Sequence, residues 1–211
     1  MNTMHETIIP FEVDGQACPS FLCTPDSLTE LAVGRLITQG SVRQLSDIRA
    51  ITRDGDGLHV RLVTAAQDPL PLQERIARAT AFSEVRPFPA RRVQRMLDAL
   101  NTFNGAFGTH RVAVLSPNGV EVFEDVARHN AADKAIGHAV LRRWDLANTA
   151  ILTSGRLSLE IALKCAVAGI PRAYTIKYCS DLAEDFAKGI HMQLLSRVGG
   201  QGGERVKTQG V

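Results

Sequence analysis

The sequence has no C-x-x-C pair. Its four cysteines, Cys18, Cys23, Cys165 and Cys179, are scattered, which excludes the commonest spacing of a zinc clip or a redox dithiol. Cys18 and Cys23 are separated by an odd offset, so a regular strand puts them on opposite faces. Thiols this sparse read as reduced cysteines rather than a disulfide framework. No apolar run approaches the roughly 20 residues of a membrane helix. The opening stretch MNTMHETIIPFEVDGQ carries Glu6 and Glu12 and no basic region leading into an apolar core, so it is not a secretory signal. A cytoplasmic protein without a membrane partner is expected. Neither sign of charge dominates: 24 basic against 22 acidic residues leave a net charge of +2, which argues against a general binder of nucleic acid. Any anion site must be built locally. Also missing are the G-x-x-x-x-G-K-[ST] phosphate loop, the G-x-S-x-G nucleophile elbow and the H-x-E…P-C-x-x-C signature of zinc deaminases. No metal site is expected.

What is present reads as a globular chain. Its 211 residues, 45% of them hydrophobic, suffice for one sizeable core or two small ones. Ile8–Val13, the turn Asp14-Gly15 and Gln16–Leu22 predict a hairpin. A helix follows, with Thr24 as N-cap, Pro25 in its first turn and Gly40 at its end. A second hairpin turns at residues 54–57. A short helical pattern covers Gln73–Ala81, and a longer one runs from Ala90 to Thr102. Beyond it the rhythm changes to strands alternating with helices. Strands are expected at 111–116, 120–123, 150–153, 173–177 and 190–196. Helices are expected at 129–142, 156–168 and 180–188, the last with Ser180 as its cap. The tail from Gly199 reads as mobile. Strand–helix alternation implies an α/β fold, α+β overall. We expect a small N-terminal β-rich domain at 1–90. An α/β domain at 91–211 follows, with a mixed sheet covered by helices.

Three junctions in the second half collect polar residues: GAFGTH at 105–110, EDVARHNAADK at 124–134 and TSGRLSLE at 153–160. In open α/β sheets ligands bind outside the carboxyl ends of strands, where helix N-termini offer free N–H groups. Gly155 permits close backbone approach there, and Arg156 can fork onto a phosphate. His129 and Asp133 lie four apart on one helix face, with Asn130 and Lys134 alongside. The set suits a phosphate or purine nucleotide.

These segments together resemble the FdhD/NarQ family of formate dehydrogenase accessory proteins. TPDSLTELAVGRLITQGSV is similar to that family's TP…ELAVGFL…EG helix. EDVARHNAADKAIG resembles its EDVGRHNAVDKxxG, and LTSGRLSLEIALKCAVAGIP its SGR-x-S-x-E…K…AGIP stretch. The resemblance covers nearly the whole chain. It implies a cytidine-deaminase-like fold for the second domain, without the deaminase zinc, and a homodimer. It further implies binding of the bis-molybdopterin guanine dinucleotide cofactor, with molybdenum or tungsten, as cargo, and of GDP as its fragment. Formate dehydrogenase and a cysteine desulfurase are the implied partners. The binding residues implied by motif are Thr109, His110, Glu124, Asp125, Arg128, His129, Asn130, Asp133, Lys134, Ser154, Gly155, Arg156, Ser158 and Glu160, with Arg197 in the closing segment.

The chain departs from the family where the sulfur chemistry would sit. Family members carry a C-x-x-C pair before the long helix, whereas RIARATAFSEVRPFPARRVQRM has no cysteine. A persulfide needs a thiolate nucleophile, which serine or alanine cannot replace. Cys179, just ahead of the Ser180 cap, is the substitute candidate; Cys165 reads as a buried hydrophobe and Cys18 and Cys23 as strand packing. Two readings stay open: a maturation factor that transfers sulfur through a relocated or borrowed cysteine, and a cofactor-binding carrier that transfers none.

Overall fold

The computed structural model describes residues 3–55, 57–64, 68–83 and 85–200. The tail expected to be mobile lies outside the described residues beyond Gly200. The first hairpin pairs β1 (Thr7–Val13) with β2 (Gln16–Cys23). Asp14 and Gly15 both take positive φ, which suits a two-residue turn between right-twisted strands. The second hairpin pairs β3 (Ile48–Asp54) with β4 (Gly57–Leu62). Parallel pairing of β1 with β4 joins the two into one sheet, ordered β2-β1-β4-β3.

Helix α1 (Leu28–Thr38) covers this sheet. It begins later than the Thr24-Pro25 signal suggests, with Ser27 in the N-cap position. Thr24 is spent elsewhere: its amide donates to Asp125 Oδ2 at 3.2 Å and its hydroxyl accepts from Val126 N at 3.2 Å. A tertiary contact has therefore taken the residue that local propensity assigned to a cap.

The odd spacing of Cys18 and Cys23 also misleads. Ile9 pairs with Phe21 but Phe11 with Cys18, so β2 carries one extra residue between the pairs. That bulge flips the alternation, and Cys18 and Cys23 both pack against the core.

The short helix α2 (Leu72–Arg78) and the longer α3 (Ala90–Thr102) lead into the second sheet. Its elements are β5 (His110–Ser116), β6 (Gly119–Asp125), α4 (Arg128–Leu141), β7 (Ala150–Thr153), α5 (Leu159–Ala168), β8 (Arg172–Thr175), α6 (Asp181–Gly189) and β9 (Gln193–Leu195). The order is β6-β5-β7-β8-β9, with β5 antiparallel to both neighbours and β7, β8 and β9 parallel. This is the mixed sheet covered by helices that strand–helix alternation implies. Strand alternation splits the core across it. Val112, Val114 and Ile151 pack with Ala131, Ala135 and Ile161 of α4 and α5, whereas Ala113, Leu115 and Leu152 pack with Met96 and Leu100 of α3.

Some boundaries differ from the expected ones. α5 starts at Leu159 with Ser158 at its N-cap, so Ser154-Gly155-Arg156 is a turn ahead of the helix. β8 and β9 stop short of Lys177 and Ser196.

The first sheet, α1, α4 and the second sheet share one continuous hydrophobic cluster. Where α1 crosses α4 the helices touch backbone to backbone. A Cβ on Gly34 would overlap Asp133 O, and one on Gly137 would overlap Glu30 O. Helices cross this closely only where neither carries a side chain at the contact point. Among the described residues no helix is long and apolar enough to cross a membrane.

Candidate functional site

The parallel strands β7, β8 and β9 end on one edge of the second sheet, and antiparallel β5 begins there. That edge gathers the turn after β7, the first residues of β5, and the N-termini of α4 and α5. The turn is held by hydroxyls. Ser154 N donates to Arg111 O at 2.8 Å while Arg111 N donates to Ser154 Oγ at 2.9 Å. Gly155 N donates to Thr153 Oγ1 at 3.0 Å, and Thr175 Oγ1 donates to Gly155 O at 2.6 Å. A Cβ on Gly155 would lie 3.2 Å from His110 Nδ1 and 3.6 Å from Arg128 Cβ. The turn, the start of β5 and the start of α4 are thus in contact. Arg156 is exposed beside them.

Arg128 and His129 open α4. Three buried side-chain atoms lack a hydrogen-bond partner among the described residues: Arg128 Nε, Ser158 Oγ and Arg75 Nε. Buried donors are normally satisfied, so these atoms stand out as free to bond a further group. All three belong to the neighbourhood of the α4 and α5 N-termini. Ser158 occupies the N-cap position of α5 without a side-chain cap bond, and Arg75 reaches Glu160 in the first turn through two bonds of 2.7 and 3.2 Å. Burial alone would raise the Glu160 carboxyl, but the Arg75 hydrogen bond and charge outweigh it and hold it below the usual range. Burial, then the Arg128 charge, lowers both His110 and His129, so both imidazoles are neutral near pH 7.

The remaining motif residues are used differently. Thr109 and Glu124 shape the loop before β5: Thr109 Oγ1 and Ala106 N donate to Glu124 Oε2 at 2.8 and 3.0 Å. Asp125, Asn130, Asp133 and Lys134 are buried and spend their polar atoms inside the protein. Lys134 Nζ donates to Thr24 O, Glu124 O and Asp26 Oδ1 and lies 2.9 Å from Asp125 Oδ2. Asp133 accepts from Lys164, Thr38 and Arg35. It meets His129 only as a nearby charge, so the expected side-by-side pair is resolved into a buried ion pair on one side and a free-standing imidazole on the other. Arg197 follows β9 in a left-handed conformation, its amide bonded to Lys177 O at 2.8 Å.

Sequence reasoning did not single out Arg35, Thr38, Asp26, Lys164, Arg75 or Thr175. One signal was available. Lys164 interrupts the apolar run of α5 that follows Glu160, and a lysine on a buried face needs a partner.

The four thiols are poorly suited to nucleophilic work. Cys179 is half-buried and its backbone bridges to Leu157, and burial with the Glu184 charge pushes its thiol up to about 12. Burial pushes Cys23 up to about 11, raises Cys18, and raises the fully buried Cys165 furthest. Among the described residues no group of three or more His, Cys, Asp or Glu side chains is arranged to hold a metal ion. An apolar cavity of about 90 Å³ lies between β1, β2 and α1, and is lined by Phe11, Cys18, Arg35 and Leu36. None of its lining residues belongs to the strand-end cluster, whose unpartnered donors carry the stronger argument for a ligand.

Fold and site define a mixed α/β protein with cationic and amide donors converging on the carboxyl ends of its parallel strands. The family model of the FdhD/NarQ family matches residues 4–205, and the chain belongs to that family. The sulfur carrier protein FdhD of Burkholderia mallei is 31% identical, over 83% of this chain and 77% of its own. That of Geobacillus kaustophilus is 27% identical, over 90% of this chain and 81% of its own. The crystal structure of a Desulfotalea psychrophila protein, suggested there to be a formate dehydrogenase accessory protein, superposes with a TM-score of 0.84. It is 23% identical and the match covers 97% of this chain and 87% of that one, which speaks to the fold.

Proposed function

We propose that this protein is an accessory factor in formate dehydrogenase maturation. It binds bis-molybdopterin guanine dinucleotide, carrying molybdenum or tungsten, at the strand-end cluster and assists its sulfuration or delivery. The observation that carries this reading is the set of unpartnered donors, Arg128 Nε and Ser158 Oγ, beside two helix N-termini and the crowded Gly155 turn. Such a surface favours phosphate oxygens, and a dinucleotide cofactor carries a pyrophosphate. Membership of a family whose named relatives are sulfur carriers supplies the biological process.

The protein acts chiefly as a binding and handing-on module. A persulfide forms on a thiolate, and burial keeps the thiols protonated. Sulfur would then come from a cysteine desulfurase or another cysteine-bearing partner. One observation favours the second reading, in which Cys179 carries sulfur: it sits on the loop after β8, at the same end of the sheet as the cluster. The site operates on this view in a cytoplasmic homodimer, with a cytidine-deaminase-like second half.

The test is a calorimetric titration of reduced protein with GDP, repeated on Arg156→Ala and His129→Ala. Micromolar-range binding that weakens by about tenfold or more in each variant, roughly 1.4 kcal/mol, supports the reading. No binding by the unaltered protein removes the cofactor assignment. Sulfuration that persists in a variant lacking all four cysteines ends the Cys179 alternative.

A further inference from the structure

We infer that Arg35, on α1 in the N-terminal half, is a positioning residue that sets the aim of Arg128 and His129. Its guanidinium spans two residues of α4. NH2 donates to Asn130 Oδ1 at 3.1 Å and Nε to Asp133 Oδ2 at 3.2 Å. The first of these contacts leads to the site in two steps. With its oxygen held by Arg35, the Asn130 amide points its nitrogen at Leu22 O, 2.8 Å, and Asp125 Oδ1, 3.2 Å. The same Asp125 Oδ1 accepts from Ala127 N at 2.9 Å. Ala127 is the N-cap position of α4, directly before Arg128 and His129.

The same residue ties two charge groups together. Lys134 pairs with the buried Asp125 and with Asp26, whose side chain is half exposed, and Lys164 pairs with the buried Asp133. Arg35 adds a second cation to Asp133 and, through Asn130, joins the two groups into one network. Buried polar networks hold a single geometry when every member is satisfied and lose it when one is missing.

The helix crossing does not depend on Arg35. The backbone contact at Gly34 and Gly137 and the apolar packing around Leu31, Ala32, Ala135 and Ala139 hold α1 on α4. Removing the guanidinium therefore loosens the first turn of α4 while the helices stay docked. An N-terminal unit that looks like a separate attachment is in this way part of the binding machinery.

The affinity arm of the test rests on the anion-site reading above; the second arm does not. Arg35→Met keeps the side-chain stem and removes the donors. Arg35→Lys keeps a charge and loses the fork. GDP affinity is measured by calorimetry, and the His129 imidazole resonance, identified with His129→Gln, is followed by NMR without ligand. Arg35→Met is expected to weaken GDP binding about tenfold and to move the His129 resonance; Arg35→Lys is expected to fall between. Val60→Ala, in the core of the first sheet, is expected to lower the melting temperature while leaving affinity within about twofold and the resonance in place. Wild-type affinity and an unmoved resonance in both Arg35 variants overturn the assignment. If the unaltered protein binds no GDP, the anion-site reading fails, and the resonance alone decides Arg35. If Arg35→Met does not fold, Arg35→Lys must weaken binding about threefold and shift the resonance, or the assignment falls.

Discussion

Replacing Gly137 with alanine puts a methyl group where α4 and α1 meet backbone to backbone. The new Cβ would overlap Glu30 O and lie 2.8 Å from Gly34 N. Neither atom can swing away as the end of a side chain could, because both belong to the α1 backbone. The helices must separate, and the contacts of Leu31, Ala32, Ala131 and Ala135 loosen with them. Alanine itself favours the helical state over glycine by about 1 kcal/mol. Overpacking a dense core costs about 1–3 kcal/mol, occasionally more, and backbone-on-backbone overlap belongs at the top of that range. The expected net loss is about 2–3 kcal/mol, a fall in melting temperature of roughly 4–12 °C for a chain of this size. Urea and thermal denaturation measure it. Two controls separate the causes. Gly189→Ala meets nothing within 4 Å and has an ordinary φ, so it should change stability by no more than about 1 kcal/mol. Gly169→Ala also meets nothing, but its φ of +84° carries a backbone penalty of about 1–2 kcal/mol. Gly34→Ala should cost about as much as Gly137→Ala, and the double variant less than the sum, since helices already forced apart admit a second methyl more easily. A Gly137→Ala protein as stable as the Gly189→Ala control would refute the close crossing.

Lys134→Met should cost about 3–5 kcal/mol, because Asp125 is left buried without its cation; a loss under about 1 kcal/mol in urea would contradict that pairing. The native thiols should react slowly with a disulfide reagent at pH 8. A thiol held near 12, as Cys179 is, is ionised in only about one molecule in ten thousand, and all four should react promptly once denaturant exposes them. Fast native modification of Cys179 would reopen the sulfur-carrying reading. Acid should destabilise the fold through its histidines. His110, His129 and His138 are held below their ordinary value, chiefly by burial, so the unfolded chain binds protons first. The histidine contribution is then level above about pH 7 and falls as pH drops through about 6.5 toward the folded-state values. A His129→Gln variant should show a shallower fall, and an unchanged slope would remove His129 from the balance.

Much of the fold is legible in short-range signals. Asp14-Gly15 and Pro117-Asn118-Gly119 mark turns that the structure contains, and Ser180 caps α6 as its position suggests, accepting from Ala183 N at 3.3 Å. The misread features depend on distant residues. Thr24 has the chemistry of a cap, but Asp125 and Val126, about a hundred positions away, claim it. The bulge in β2 leaves no trace in the spacing of Cys18 and Cys23. The polar run EDVARHNAADK is ambiguous for a related reason: a carboxylate or amide on a helix reads the same whether it faces a ligand or a buried partner.

One clue does separate the two cases. Small residues surround the polar ones in α4, namely Ala131, Ala132, Ala135, Gly137 and Ala139, so the helix has no wide polar face to turn toward solvent. Everything from Asn130 to Val140 is buried. A helix enclosed on every side must satisfy its polar residues within the protein, and Asp133, Lys134 and Asn130 do so through Arg35, Lys164 and Asp26, from α1, α5 and the loop before α1. Only the first turn of α4 remains for a ligand, and that turn holds Arg128 and His129. The motif therefore divides by depth. Its opening residue Arg128 stands against the Gly155 turn with an unpartnered guanidinium nitrogen, and its later residues form the base that fixes where that first turn points.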